Sequence, residues 1–132
     1  MLRSLEQERA NYAWECIQAI KGDFDLEDKY KSYVRSVSTY IQTNGLGNTL
    51  AFMYSKRGKD KKNAYDQIYD NLSDWLKKPE YGCKLLPQNE DLLRYVISQP
   101  SIVYRQITSE CLALLNWLRR LSEGMLEGDT ND

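Results

Sequence analysis

The sequence predicts an all-α fold, a compact bundle of about five to six helices with a long C-terminal helix. Apolar residues recur at spacings of three and four along most of the chain, which is typical of helices that bury one face. No segment shows a convincing alternation of β-type residues, and the three prolines all lie in the second half, between predicted helices. With 132 residues, 42% of them hydrophobic, the chain has the length of a single domain, 1–132, that buries a core without metal or disulfide support.

The first two predicted helices span residues 2–21 and 26–43. Arg9 lies on the apolar stripe of the first helix, so we expect it to pair with a carboxylate such as Glu110. One side of the second helix carries Tyr30, Tyr33, Val34, Val37, Tyr40 and Ile41. The other side carries Lys31, Arg35, Ser38 and Gln42. The tyrosines on the apolar side are therefore expected in the core, and not stacked on nucleic-acid bases.

The segment Asn44-Gly45-Leu46-Gly47-Asn48 separates the second helix from a third, because glycine permits a turn with positive φ or a close backbone approach. Residues 36–55 contain no charged side chain, and we expect this stretch to pass through the middle of the domain. A fourth helix buries an apolar face, and its outer side carries Asp66, Asp70 and Asp74 at four-residue spacing. Glu90 and Asp91 begin a short fifth helix, where they complement its dipole.

The last helix, which begins at Pro100, has the clearest pattern in the sequence. Its apolar residues alternate strictly at three and four: Tyr104, Ile107, Cys111, Leu114, Leu118, Leu121 and Met125. Such a seam packs against neighbouring helices. Cys111 lies in this seam with no basic neighbour, so we expect a buried, inert thiol. Three cysteines without a C-x-x-C pair fit a reducing cytoplasm and neither a disulfide framework nor a zinc site.

The composition argues against catalysis. The chain has no histidine, which removes the commonest general base and metal ligand, and it has no glycine-rich phosphate loop. Its carboxylate pairs lie at predicted helix starts, where they satisfy backbone donors, so a metal-dependent nuclease is the weaker alternative. We expect no enzymatic activity, no cofactor and no metal. The N-terminus lacks the apolar core of a signal peptide, and residues 36–55 are too polar to span a membrane. A soluble, cytoplasmic protein without a membrane partner is expected.

Basic residues form three faces that are poor in carboxylates in the sequence, although the net charge is −1. The candidate phosphate-binding residues are Lys31 and Arg35 on the second helix, Lys56, Arg57, Lys61 and Lys62 before the fourth, and Arg105, Arg119 and Arg120 on the last. Arginine suits phosphate geometry, but each face taken alone is more typical of a solvated surface, and it is the presence of three such faces in one domain that favours phosphate binding. The ridge of Asp66, Asp70 and Asp74 would repel phosphate, so we predict that it meets a basic face of another subunit or of a second copy.

Two motifs resemble the small helical subunit of the type III-B CRISPR effector, the Cmr complex. The first motif is NGLGNTLAF at residues 44–52, and the second is YRQITSECLALLNWLRR at residues 104–120. Arg9, Ala10 and Ala13 on the first helix and the Trp75-Leu76 pair fit the same pattern. Order and spacing match over essentially the whole chain, with Ser38 standing where relatives often carry a proline.

The resemblance implies a non-catalytic subunit of an RNA-guided, RNA-targeting complex. Several copies would stack beside the backbone subunits that carry the guide RNA and beside the large polymerase-like subunit. The candidate phosphate-binding residues would then contact guide or target RNA, where base pairing reads the sequence and the protein needs only backbone contacts. The alternative is a purely protein-binding helical scaffold, whose basic faces meet acidic surfaces of neighbouring subunits and make no direct RNA contact.

Overall fold

The computed structural model describes residues 3–78 and 85–127, and within them the fold consists of six α-helices without a β-strand. The helices are α1 (Leu5–Ile20), α2 (Phe24–Asn44), α3 (Leu46–Ser55), α4 (Ala64–Lys77), α5 (Leu92–Ile97) and α6 (Ser101–Met125). This architecture confirms the predicted all-α class and the long last helix.

Polar side chains fix where four of these helices begin. Ser4 forms a capping box with Gln7 at the start of α1, and Asn63 forms one with Asp66 at the start of α4. The carboxylates of Asp23 and Asp91 accept backbone N–H groups at the starts of α2 and α5. These side chains accept hydrogen bonds from the first backbone N–H groups of each helix, which have no partner within the helix. For this reason α1 and α2 begin at Leu5 and Phe24, whereas apolar spacing predicted starts at residues 2 and 26.

Helix α6 packs against α1 and α2, and α2 also packs against α3 and α4. The predicted seam of α6 lies at this junction. Ile107, Cys111, Leu114 and Leu118 are fully buried there, and Tyr104, Leu121 and Met125 are half-buried at its borders. Burial raises the pKa of the Cys111 thiol well above its ordinary value and that of Cys16 to about 12, so both are inert at neutral pH. Cys83 lies outside the described residues.

A largely buried ion pair between α1 and α6, with a hydrogen bond from α4, joins these three helices. Arg9 donates from Nε and Nη2 to the two carboxylate oxygens of Glu110, at 2.6 and 2.9 Å, and Trp75 donates from Nε1 to the same carboxylate at 3.0 Å. Burial alone would raise the pKa of Glu110, but the hydrogen bonds from Arg9 and Trp75 and the Arg9 charge lower it below its ordinary value. The predicted pairing of Arg9 with Glu110 is confirmed.

A second polar contact holds the end of α6 against the first half of α2. The Glu27 carboxylate, which is 2% exposed, accepts the backbone N–H groups of Gly22 and Glu127 at 2.9 and 3.0 Å. One turn further on, Lys31 is 5% exposed and donates from Nζ to the Leu126 carbonyl at 3.4 Å. The expectation that Lys31 lies on the outer side of the helix is therefore wrong, because the end of α6 covers that position.

The two glycines of the first motif have separate structural roles. Gly45 joins α2 to α3 with φ +87°, a conformation that side chains on other residues resist. Gly47 lies so close to α6 that a Cβ atom there would meet the Tyr104 hydroxyl at 3.3 Å. The Gly47 N–H instead donates to that hydroxyl at 2.8 Å, so the two motifs identified in the sequence contact each other.

Candidate nucleic-acid interface

A polar cleft lies between the second half of α2 and the second half of α6. Its volume is about 130 Å³, and it is lined by Ser38, Thr39 and Gln42 from α2 and by Leu112, Asn116 and Arg119 from α6. The contributing positions on each helix are three or four residues apart, so they share one face. Ser38 and Gln42 of one predicted basic face therefore adjoin Arg119 of another on a single surface, which we call the α2/α6 cleft.

Two arginines beside this cleft are weakly engaged within the chain. Arg35 lies 3.8 Å from Glu123, and both side chains are about half exposed, at 53% and 46%. Arg119 is 3.5 Å from the Asn116 amide oxygen, and Arg120 is exposed one residue further along. An exposed ion pair and a long hydrogen bond of this kind contribute little to stability, so a phosphate can compete for these guanidinium groups at low cost.

Arg105 lies nearer the other end of α6, about 21 Å from Arg119 at the helical rise per residue. It is exposed and lines a second, wider cleft of about 490 Å³ with Leu85, Ile102, Gln106, Ser109 and Glu110. The Glu110 carboxylate in this cleft is already bonded to Arg9 and Trp75. The three predicted arginines of α6 thus lie on one side of the helix but have different neighbours.

The basic loop before α4 is held to the start of that helix. Asn63 donates from its amide to the Lys56 carbonyl at 2.6 Å, and the Gly58 N–H donates to Asp66 at 2.8 Å. Lys56 lies 5.8 Å from the centre of the Phe52 ring. Arg57 stacks on the ring of Tyr54, with its guanidinium carbon 3.8 Å from the ring centre. Both cations are exposed and rest against aromatic rings.

The acidic ridge and the basic loop are in direct contact, which corrects the expectation that the basic face of the loop is poor in carboxylates. Asp66 accepts the N–H groups of Asn63 and Gly58, and Lys62 forms an ion pair with Asp70. This hydrogen-bonded ion pair raises the pKa of Lys62. Lys61 and Lys62 also line a cleft with Asp23 and Asp25 of the α2 start. The carboxylates beside this loop offset its positive charge, and of the three ridge aspartates only Asp74 is fully on the surface.

Several tyrosines differ from the core assignment that periodicity suggested. Tyr30 is fully buried, but Tyr40 is 40% exposed. Tyr33 and Tyr65 are half-buried and stack with ring centres 4.1 Å apart. Phe52 lies between Tyr40 and Tyr65 and meets each edge-on at 5.6 Å. Sequence reasoning missed this aromatic row. The absence of charge from residues 36–55 is the signal that could have indicated it. This stretch was expected in the middle of the domain, but its outer side lies on the surface.

Within residues 3–78 and 85–127, no cluster of three or more carboxylate or thiol side chains is arranged to hold a metal ion. Among the helices that the structure describes, none is long and apolar enough to cross a membrane.

Comparisons with known proteins agree with the two motifs. A family model described as CRISPR-associated protein (Cas_Cmr5) matches residues 5–125. The chain is also similar to the X-ray crystal structure of a CRISPR-associated Cmr5 family protein from Thermus thermophilus. The TM-score is 0.72 and the identity 23%, over 96% of this chain and 100% of that one. The chain belongs to the Cmr5 family of CRISPR-associated proteins, the small helical subunits of the type III-B Cmr complex.

Proposed function

We propose that this chain is a non-catalytic subunit that stacks in several copies within a cytoplasmic Cmr complex and contacts the backbone of guide or target RNA. The observation that carries the RNA contact is the α2/α6 cleft, where arginine side chains stand beside uncharged hydrogen-bond donors. Family membership supports the assembly, in which neighbouring backbone and large subunits are the protein partners.

The chemistry of the cleft suits phosphate oxygens. Arg119 and Arg35 supply guanidinium donors, and Ser38, Gln42 and Asn116 add neutral donors that tolerate any base sequence. An RNA-guided complex reads sequence by base pairing, so a subunit that binds only backbone suffices. Binding by one copy is expected to be weak and salt-dependent, and repetition along the assembly strengthens it.

The absence of catalysis is also part of the proposal. The sequence contains no histidine, and the thiols of Cys16 and Cys111 are buried with raised pKa values. The carboxylates of Asp23 and Asp91 are engaged at helix starts. Purified chain is expected to show no RNA cleavage with or without divalent cations.

A purely protein-binding scaffold is the second candidate function. It is favoured by large apolar side chains at the surface: Phe24 is 73% exposed, Ile102 62% and Ile97 59%. Such residues commonly mark contacts with other proteins. In that case the basic residues, including Lys56, Arg57, Lys61 and Lys62, and the exposed Asp74 meet charged surfaces of neighbouring subunits.

Charge reversal in the assembled complex separates the two functions. The variant R119E/R120E changes the α2/α6 surface, and K21E/R94E is a matched control because it makes the same charge change at two other exposed sites. RNA contact predicts normal co-purification of R119E/R120E with the other subunits and weakened target-RNA binding. Loss of co-purification favours the scaffold. Normal assembly with normal RNA binding contradicts the proposed RNA contact.

A further inference from the structure

The elbow between α2 and α3 contains a cleft that neither the phosphate contacts nor the packing of the fold explains. It has a volume of about 260 Å³ and is lined by Tyr40, Asn44, Asn48, Thr49 and Phe52. This volume is just below the roughly 300 Å³ at which pockets for drug-sized ligands begin. The cleft therefore has room for a group of about the size of one heterocyclic ring system.

The two asparagines are the unexplained residues of the NGLG motif. Asn44 is the last residue of α2 and Asn48 lies in the first turn of α3, and both are exposed. Among the residues that the structure describes, neither side-chain amide makes a hydrogen bond, and the start of α3 has no side-chain cap. Asparagine is a poor helix former, so the local structure gains nothing from these two amides.

The walls of the cleft suit a planar, uncharged group. Tyr40 and Phe52 meet at an interplanar angle of 76°, so a flat ligand parallel to either ring meets the other edge-on. The free amides add donors and acceptors, the groups with which asparagine pairs to the edge of adenine. None of the lining residues is charged. Lys56 lies 5.8 Å from the centre of the Phe52 ring, where its ammonium group can meet a phosphate at the rim.

We propose that this elbow cleft binds one unpaired base of an RNA strand, with the base on an aromatic ring and its edge on Asn44 or Asn48. The proposal rests on the proposed function for the presence of RNA, and it adds a site for single-stranded RNA that is separate from the backbone contacts at the α2/α6 cleft. A base inside a duplex is stacked and paired, so it cannot enter.

The test uses the ¹⁵N-labelled full chain titrated with a six-nucleotide oligoadenylate, and separately with a blunt RNA duplex, while the side-chain amide signals of Asn44 and Asn48 are followed. The single strand is expected to shift these signals and those of Gly45, whereas the duplex leaves them unchanged. N44A/N48A should weaken single-strand binding about tenfold. The matched control N11A/N89A removes two exposed asparagines elsewhere and should bind normally.

A second pair of variants tests the ring. Y40L removes the aromatic face and keeps apolar bulk, so binding should weaken about tenfold, whereas Y40F keeps the ring and should retain it. Absence of shifts at both asparagines with millimolar oligoadenylate, or unchanged affinity of N44A/N48A, overturns the proposal. Loss of N44A/N48A from the assembled complex without those shifts makes the cleft a protein contact and also overturns it. The proposed function survives each of these results, because it is decided by R119E/R120E in the complex.

Discussion

The two halves of α2 use their polar residues in opposite ways. In the first half, Glu27 and Lys31 are buried and bond to backbone groups at Gly22 and at the end of α6. In the second half, uncharged residues such as Gln42 and Asn44 lie on the surface beside open clefts. The two buried charges of this helix therefore serve the fold, whereas Arg35 and the uncharged polar residues of its second half lie on the surface available to partners.

Glu110 on α6 belongs with the buried charges and gives the largest expected effect. Glu110→Gln removes the charged acceptor that Arg9 and Trp75 share and leaves the Arg9–Glu6 pair in place, and it should lower the free energy of unfolding by about 3 kcal/mol at pH 7. Glu123→Gln, which affects only the exposed pair with Arg35, should change it by less than about 0.5 kcal/mol. Urea unfolding measures the change in stability for both variants. Equal losses would contradict the expectation that the buried pair stabilises the fold more than the exposed pair.

The same variant has a defined pH dependence. The folded-state pKa of Glu110 lies below its ordinary value. The charged carboxylate therefore contributes its full stabilisation at pH values above the ordinary pKa, and this stabilisation is lost as the pH falls through the folded-state pKa. The stability difference between wild type and Glu110→Gln should therefore shrink below about pH 4. Unfolding curves at pH 7 and pH 3 check this, and a difference that grows on acidification contradicts the assignment.

Glu27→Ala should have the next largest effect. It removes the acceptor for two backbone N–H groups and should cost about 2 kcal/mol. Glu15→Ala, on the exposed side of α1, is the control and should be nearly neutral. The folded Glu27→Ala protein should still bind RNA normally in the assembled complex. A loss of RNA-binding free energy as large as the loss of unfolding free energy would contradict the different roles assigned to the two halves of α2.

Lys31→Met should change stability by no more than about 1 kcal/mol, because an apolar side chain of similar length replaces a buried ammonium group with one long hydrogen bond. Its decisive readout is RNA affinity of the assembled complex, which should not change. Arg35→Met, four residues further along α2, should weaken it. If Lys31→Met lowered the RNA affinity of the assembled complex as much as Arg35→Met, Lys31 would belong to an RNA-binding face, as the sequence predicted.

The sequence was sufficient to predict the helices and the partner of Arg9, because periodicity and the cost of burying an unpaired charge are properties of single elements. It was insufficient for Lys31 and Tyr40. Whether a residue at the border of an apolar stripe is covered depends on where another helix ends, and spacing along one helix does not contain that information. The α2/α6 cleft could not be predicted for the same reason, since it requires knowing that Gln42 and Arg119 are neighbours.

The central claim is that the arginines on the outer side of α6 contact RNA phosphates. Its most direct test is the salt dependence of target-RNA affinity for complexes assembled with wild type or with R105A/R119A/R120A. Each arginine that pairs with a phosphate should lower the slope of log affinity against log salt by about one, so the variant should bind more weakly and with a shallower slope. A fully assembled variant complex with the wild-type slope and affinity would contradict the claim.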